Sequence, residues 1–304
     1  MGSARWDPTD WDKYTTTTKG KSQSAIFESK SLIPDFDPKN IGIRESVDSI
    51  DNPNSTPIIV ALDVTGSMGV IPHQLIQGNL GTLMNEILDR KPVSDPHLMF
   101  MGVGDVEYDR APLQATQFEA DIRVAEQLRK IYIERGGGGN SHESYHLPWY
   151  FAAMKTSCDA ISKRGKKGYL FTIGDEQPPR GLTKAQAQKV FGGEITKDFT
   201  TEELLRMAEE NYHVFHIMVE QGSHFQGHGA RVTEEWKDLL GQRAIPLSDY
   251  TKLAEVIVST MQAVEGADRD HVAKSWSGDT SLVVSHALKG LTHQGDDATG
   301  LVVL

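Results

Sequence analysis

A buried strand that runs directly into a polar, glycine-containing turn constrains this chain most. Residues 58–62 are five consecutive apolar side chains, which suits a strand buried on both faces, as in a parallel sheet covered by helices. Asp63 ends this run, and Gly66 and Gly69 let the backbone turn before residues 72–88, whose apolar periodicity predicts a helix. The turn therefore lies at the carboxyl end of a strand, where open α/β sheets bind ligands.

The rest of the chain alternates between strand-like and helix-like segments. Short apolar runs that predict further strands lie at residues 97–104, 111–118, 168–173, 212–219 and 243–246, the second of them as a short edge strand. Segments with helical periodicity lie at residues 120–134, 147–162, 183–191, 200–211, 232–240 and 250–264. This succession predicts an α/β fold with a doubly wound, mostly parallel sheet and helices on both faces.

The composition divides the chain into three parts. Residues 1–55 are polar and poor in core-forming side chains, which predicts an extended N-terminal arm. The periodic segments fill residues 56–264, which we interpret as one domain. Beyond it the pattern degrades, so we expect residues 265–304 to form a C-terminal tail or a segment that orders only on a partner.

Charge and cysteine content narrow the classes of partner. A net charge of -11 argues against nucleic acid or an anionic membrane as a general partner, since both require a basic surface. The single cysteine, Cys158, excludes an internal disulfide framework and fits a reducing compartment. With no signal peptide at the start and no apolar run of about 20 residues, the sequence predicts a cytoplasmic protein.

Three oxygen-bearing side chains alternate in the turn after the first strand. Asp63, Thr65 and Ser67 can converge on one point from an extended loop, and hard oxygen ligands of this kind suit Mg²⁺, Ca²⁺ or Mn²⁺. The run Asp63-Val-Thr65-Gly66-Ser67-Met68 resembles the von Willebrand factor A domain family. That family marks its metal-ion-dependent adhesion site with Asp-x-Ser/Thr-Gly-Ser at the end of the first strand. The resemblance covers about residues 56–264.

The resemblance implies two more loops with metal ligands. The family's second loop lies between a glycine pair and a helix, which corresponds here to glycines 136–139 and the residues after them. Its usual ligand is threonine, whereas this chain offers Glu143, which we expect to ligate, with Ser141 as the alternative. The third loop follows a later strand and carries an aspartate that matches Asp175. The predicted ligand set is thus Asp63, Thr65, Ser67, Glu143 and Asp175.

In the family, an acidic residue of another protein completes the metal shell, so the metal joins two proteins and catalyses nothing. Intracellular relatives commonly work beside AAA+ ATPases or within multiprotein complexes. The resemblance therefore implies a non-enzymatic, divalent-cation-dependent protein-interaction module, with a protein such as an AAA+ ATPase as its partner.

Other functions remain open from the residues alone. A metal-dependent hydrolase or phosphatase could use Asp63, Asp105, Glu143 and Asp175, although phosphatases with an Asp-x-Asp motif need a second acid where this chain has Thr65. A scaffold protein with a purely structural metal is also possible, because each carboxylate ligand cancels one positive charge. His213 and His216 are not expected to share one metal, since their odd spacing places them on opposite faces of a strand, and a zinc site at His224 and His228 is disfavoured because no helix is predicted there.

Overall fold

The computed structural model of the chain describes residues 7–18, 20–74, 80–134 and 140–291. Four of the regions predicted from the sequence lie partly or wholly outside the described residues. They are the predicted N-terminal arm (residues 1–6 and 19), the helix predicted after the first strand (residues 75–79), the glycines 136–139 and the predicted tail (residues 292–304).

Eight strands are found in the described residues, and six of them form one sheet. In chain order they are β1 (Arg44–Ser46), β2 (Thr56–Asp63), β3 (Pro96–Val103), β4 (Leu113–Ala115), β5 (Thr156–Cys158), β6 (Gly168–Gly174), β7 (Tyr212–Val219) and β8 (Ala244–Leu247). The large sheet has the order β4-β3-β2-β6-β7-β8. All its pairs are parallel except the pair of β3 with the edge strand β4. Strands β1 and β5 form a separate parallel pair.

The helices of the described residues cover both faces of the large sheet. They are α1 (Pro8–Thr18), α2 (Gln23–Ile26), α3 (Ile71–Gln74), α4 (Leu80–Arg90), α5 (Arg123–Leu128), α6 (His146–Met154), α7 (Asp159–Arg164), α8 (Lys184–Phe191), α9 (Thr201–Glu209), α10 (Ser223–Leu240), α11 (Leu253–Val264), α12 (Arg269–Lys274) and α13 (Asp279–Leu288). Side chains of β2 alternate between two cores: Ile58 and Val60 pack with α4 and α11, whereas Ile59 and Ala61 pack with α6 and α9. The predicted α/β fold class is confirmed.

The strand order reverses direction beside β2. The chain passes from β2 to β3 on one side and later returns to β6 on the other, so the connections diverge between β2 and β6. Open α/β sheets bind ligands at the point where the connections diverge in this way. The turn after Asp63 and the turn after Gly174 both leave the sheet at this point.

Two predicted helices are shorter than their sequence pattern. The prediction for residues 120–134 was wrong beyond Leu128, because the side chain of Gln114 binds both backbone groups of Tyr132, at 2.8 Å each, and holds that residue outside the helix. The helix predicted at residues 147–162 ends at Met154, and residues 156–158 pair with residues 44–46 of the N-terminal region. Both departures come from partners distant in sequence.

The terminal regions contribute to the cores. In the predicted arm, Trp11 and Ile26 are buried. In the predicted tail, the expectation of a segment that orders only on a partner does not hold for α12 and α13, because Val284 and Leu288, spaced by one helical turn, pack into the core that contains α11. No helix in the described ranges is both long and apolar enough to cross a bilayer.

Two leucines of α13 test this contribution. Leu288 is 1% exposed and Leu282 is 70% exposed. We expect Leu288→Ala to lower the free energy of unfolding by about 2–5 kcal/mol because it leaves a cavity. Leu282→Ala should change it by no more than about 0.5 kcal/mol. Urea unfolding followed by circular dichroism measures both, and equal effects would show that α13 is not part of the folded core.

Candidate metal centre

The loop after β2 folds around the carboxylate of Asp63. This side chain is fully buried, and its Oδ1 accepts two hydrogen bonds from Thr65, at 2.8 Å from the backbone N–H and at 2.6 Å from the hydroxyl. The loop then makes a single 3₁₀ turn, Gly66–Met68, and reverses at Gly69, whose φ of 54° favours glycine. The sequence Asp-x-Thr-Gly thus encodes a compact turn that gathers three oxygen-bearing side chains.

Asp175, which follows β6, joins this loop. Its Oδ1 accepts a hydrogen bond from the Ser67 hydroxyl at 2.7 Å, and its Oδ2 accepts one from the backbone N–H of His224 at 2.9 Å, in the first turn of α10. Gly222 makes this approach possible, because a Cβ there would lie 2.3 Å from the Asp175 carboxylate. The structure therefore brings together the predicted residues of the first and third loops.

The two hydroxyls are oriented as a cation would require. Thr65 and Ser67 each donate their proton to a carboxylate, so the lone pairs of both oxygens stay free to bind a cation. The two hydroxyl oxygens are 3.4 Å apart. Neighbouring oxygen ligands of an octahedral Mg²⁺ lie about 3 Å apart, given metal–oxygen distances of about 2.1 Å. The hydroxyl pair fits a divalent cation with little adjustment.

Glu143 supplies the second predicted loop. The backbone on either side of it is fixed, since Ser144 N–H donates to Gly104 O and Gln177 N–H donates to Ser141 O, both at 3.3 Å. Glu143 is 2% exposed, and its Oε2 has no hydrogen-bond partner among the described residues. A buried carboxylate oxygen without a donor costs free energy. Glu143 therefore fits a cation ligand, whereas Ser141 is half-buried and uses its backbone oxygen to contact Gln177.

Acidic side chains dominate the electrostatics of this edge. The buried ones are Asp63, Asp105, Asp109, Glu143, Asp175 and Glu176. Burial, followed by repulsion from Asp63 and Asp175, raises the pKa of Glu176 to about 8. Burial also raises the pKa of Glu143, with Asp63 as the strongest charged neighbour, and the pKa of Asp63, with Asp175 as its neighbour. The cluster holds negative charge that either protons or a cation must neutralise.

Some members of the cluster were not among the predicted ligands. Glu176 was not assigned a role, although its position directly after Asp175 was a usable signal. Tyr145 was also missed, and its hydroxyl donates to Asp63 Oδ2 at 2.9 Å. Asp105, considered only for a hydrolase, binds the Glu107 N–H at 2.7 Å and the Asn140 side chain, and so ties the β3–β4 loop to the second metal loop.

The ligand set remains a prediction. Among the described residues, no three His, Cys, Asp or Glu side chains are arranged to hold a metal by themselves. The candidate centre instead combines carboxylates with the hydroxyls of Thr65 and Ser67. His213 and His216 do lie on opposite faces of β7, with His213 against Tyr169 and His216 stacked on Trp236.

Known proteins offer only distant similarity. No family model and no curated protein matches the chain. Among solved structures, the chain is similar to the pilus adhesin SpaC from Lactobacillus rhamnosus GG in its open conformation, with 9% identity and a TM-score of 0.44, over 72% of this chain and 31% of the adhesin. It thus spans about a third of that protein.

Two further structures match at a comparable level. Proximal thread matrix protein 1 from the mussel byssus, solved with a zinc-occupied MIDAS motif, shares 12% identity and a TM-score of 0.42 over 69% of this chain and 45% of that one. The conserved hypothetical protein BatB from Bacteroides thetaiotaomicron shares 14% identity and a TM-score of 0.40 over 68% of this chain and 99% of that one. At such identities and scores, the fold class rests on the sheet of this chain itself.

The raised carboxyl pKa values predict how stability varies with pH. With a chelator present, the free energy of unfolding should fall as the pH rises from about 7 to about 9. Glu176 has a folded-state pKa of about 8, so the folded state binds more protons than the unfolded chain there, and the stability present at low pH is lost as pH rises.

Urea unfolding in the presence of EDTA measures this slope. Glu176→Gln, which carries no titrating group at this position, should make the slope shallower, with the remainder due to Glu143 and Asp63. The control Glu194→Gln, at an exposed position, should leave the slope unchanged. A free energy of unfolding that rises with pH across this window would contradict the assignment of uncompensated buried acids.

Proposed function

We propose that this chain is a protein-interaction module that binds its partner through a divalent cation held by Asp63, Thr65, Ser67, Glu143 and Asp175. The observation that carries the proposal is the hydroxyl pair, whose protons are both given to buried carboxylates and whose oxygens lie 3.4 Å apart. Oxygen ligands of this kind favour Mg²⁺, Ca²⁺ or Mn²⁺. When bound, the cation would neutralise the carboxylates and offer an open position to an acidic side chain of the partner.

Solvent can reach the centre from the side of Ser67. Ser67 is half-buried, while Gly66, Gly69 and Ser223 around it are exposed. Val70, also on this rim, is 57% exposed and could add apolar contact. A carboxylate of a partner protein could therefore approach the cation at a neutral hydroxyl ligand.

A structural cation is the second candidate, and the number of buried acids favours it. If Asp63, Glu143 and Asp175 all contact the cation directly, they cancel its charge and weaken its attraction for a partner carboxylate. The cation would then serve mainly to hold the loops after β2 and β6 against residues 140–144. Cation dependence of folding alone, without cation dependence of partner binding, is the signature of this second function.

Catalysis is not part of the proposal. The Thr65 hydroxyl stands where an Asp-x-Asp phosphatase needs its second acid, and it is hydrogen-bonded to Asp63 at 2.6 Å.

We further propose that the module works in the cytoplasm within a multiprotein complex, with an AAA+ ATPase as one candidate partner. Support for that context comes from the sequence resemblance and from the single cysteine, which fits a reducing compartment.

Magnesium binding tests the centre directly. Mg²⁺ at about 100 times its Kd should raise the free energy of unfolding by about 2.7 kcal/mol, because only the folded chain has the site. Isothermal titration should show binding to the wild type and a loss of at least about tenfold in affinity for Ser67→Ala and Asp175→Asn. Asp279→Asn, an exposed acid at the start of α13, is the matched control and should bind as the wild type does. Absence of binding to the wild type with Mg²⁺, Ca²⁺ and Mn²⁺ would refute the proposal.

Partner capture separates the bridging cation from the structural one. Affinity capture of partner proteins with Mg²⁺ should be lost with EDTA and with Ser67→Ala, provided that the variant stays folded, and should be kept by Asp279→Asn. Capture that persists in EDTA would support the structural cation instead. Turnover of a generic phosphate ester that disappears in Asp63→Asn would overturn the non-enzymatic assignment.

A further inference from the structure

Tyr145 contacts the candidate centre from beneath. It lies directly before α6, is fully buried, and donates its hydroxyl proton to Asp63 Oδ2 at 2.9 Å. Its ring packs edge-on against His216 at 4.8 Å and Trp236 at 5.7 Å. The aromatic contacts fix the position of the ring, and the position of the ring fixes the direction of the hydroxyl.

The end of β6 leaves space for this hydroxyl. A Cβ on Gly174 would lie 1.9 Å from the Tyr145 oxygen and 2.5 Å from the ring carbon that carries it. Any side chain at position 174 would therefore displace the phenol from Asp63. Position 174, directly before Asp175, therefore requires glycine so that the Tyr145 hydroxyl can reach Asp63.

The hydrogen bonds that Asp63 accepts determine which of its lone pairs a cation can contact. A carboxylate offers about four acceptor positions, two on each oxygen. Both positions on Oδ1 are used by Thr65, and one of the two on Oδ2 is used by Tyr145. With the partners that the described residues provide, one lone pair on Oδ2 remains for a cation or its bound water.

We propose that Tyr145 is a positioning residue of the metal centre, which fixes the direction of the remaining Oδ2 lone pair of Asp63 and so favours Mg²⁺, with its strict geometry, over Ca²⁺. This inference rests on the proposed function. Mg²⁺ requires near-octahedral geometry, whereas Ca²⁺ accepts flexible and bidentate carboxylates. A carboxylate that is held by three hydrogen bonds and offers one lone pair suits the smaller, more demanding ion.

The phenol acts on Asp63 as a hydrogen-bond donor. Its hydroxyl is directed at Asp63 Oδ2, so Tyr145 supports the carboxylate by donating a proton to it rather than by ligating the cation itself.

The test is Tyr145→Phe, with Kd values for MgCl₂ and CaCl₂ measured by isothermal titration. Loss of an outer hydrogen bond to a metal ligand costs about 10–100-fold in affinity. We expect a loss of this size for Mg²⁺ and a smaller loss for Ca²⁺, so that the ratio of the two Kd values shifts toward Ca²⁺. The matched control is Tyr150→Phe, on α6 and 7% exposed, which should change neither Kd.

A second variant tests the same contact without removing the Tyr145 hydroxyl. Gly174→Ala should displace the Tyr145 hydroxyl and shift the Mg²⁺/Ca²⁺ ratio in the same direction. Circular dichroism establishes that each variant is folded. Melting temperatures in EDTA report packing alone, so a lower melting temperature with unchanged Kd values would assign Tyr145 a purely structural role and overturn the inference.

The result for the wild type separates the two proposals. If the wild type binds Mg²⁺ and Tyr145→Phe binds both cations with unchanged Kd values, the positioning role is wrong and the proposed function stands. If the wild type binds neither cation, both proposals fail.

Discussion

Buried negative charge at the carboxyl edge of the sheet is the constraint on which the rest of this structure depends. Asp63 and Asp175 are fully buried, and Glu143 and Glu176 are nearly so. In the described part of the chain, no lysine or arginine forms an ion pair with any of these four acids. Isolated buried carboxylates are costly, so they take up protons or bind a cation. The surrounding donors, two hydroxyls, a phenol and backbone N–H groups, stabilise the cluster but bring no positive charge to it.

The topology explains why these acids meet. Parallel strands present their carboxyl ends at one edge, and β2 and β6 are neighbours there although more than 100 residues separate Asp63 from Asp175. Close approach then depends on two glycines. Gly222 lets α10 begin against Asp175, and Gly174 admits the phenol that binds Asp63. A fold with helices on both faces thus provides the rigid frame, and small residues at the strand ends provide the contact distances.

Local patterns allowed part of this arrangement to be predicted. Alternation of Asp63, Thr65 and Ser67 within one turn is visible in the sequence, and so is the acid that follows β6. The contact of Tyr145 with Asp63 is not, because it depends on how α6 packs beneath the sheet. For the same reason the sequence overestimated the helix after residue 120, which Gln114 of a neighbouring strand interrupts, and missed the core contacts of α13. Periodicity describes a segment in isolation, whereas these features depend on partners distant in sequence.

The positions of the charged and neutral ligands bear on whether a bound cation would join this chain to a partner protein or would only stabilise its own loops. Among the predicted ligands, Asp63, Glu143 and Asp175 are buried, and the half-exposed Ser67 is neutral. An acidic side chain that arrives from solvent would therefore meet the cation on the side of the neutral Ser67 hydroxyl, whereas the three carboxylates are covered by protein. Coulomb repulsion falls with distance and is strongest at short range in a poorly solvated site. This difference in exposure favours the proposed bridging function over the structural one, even though the total number of carboxylates alone would favour the reverse.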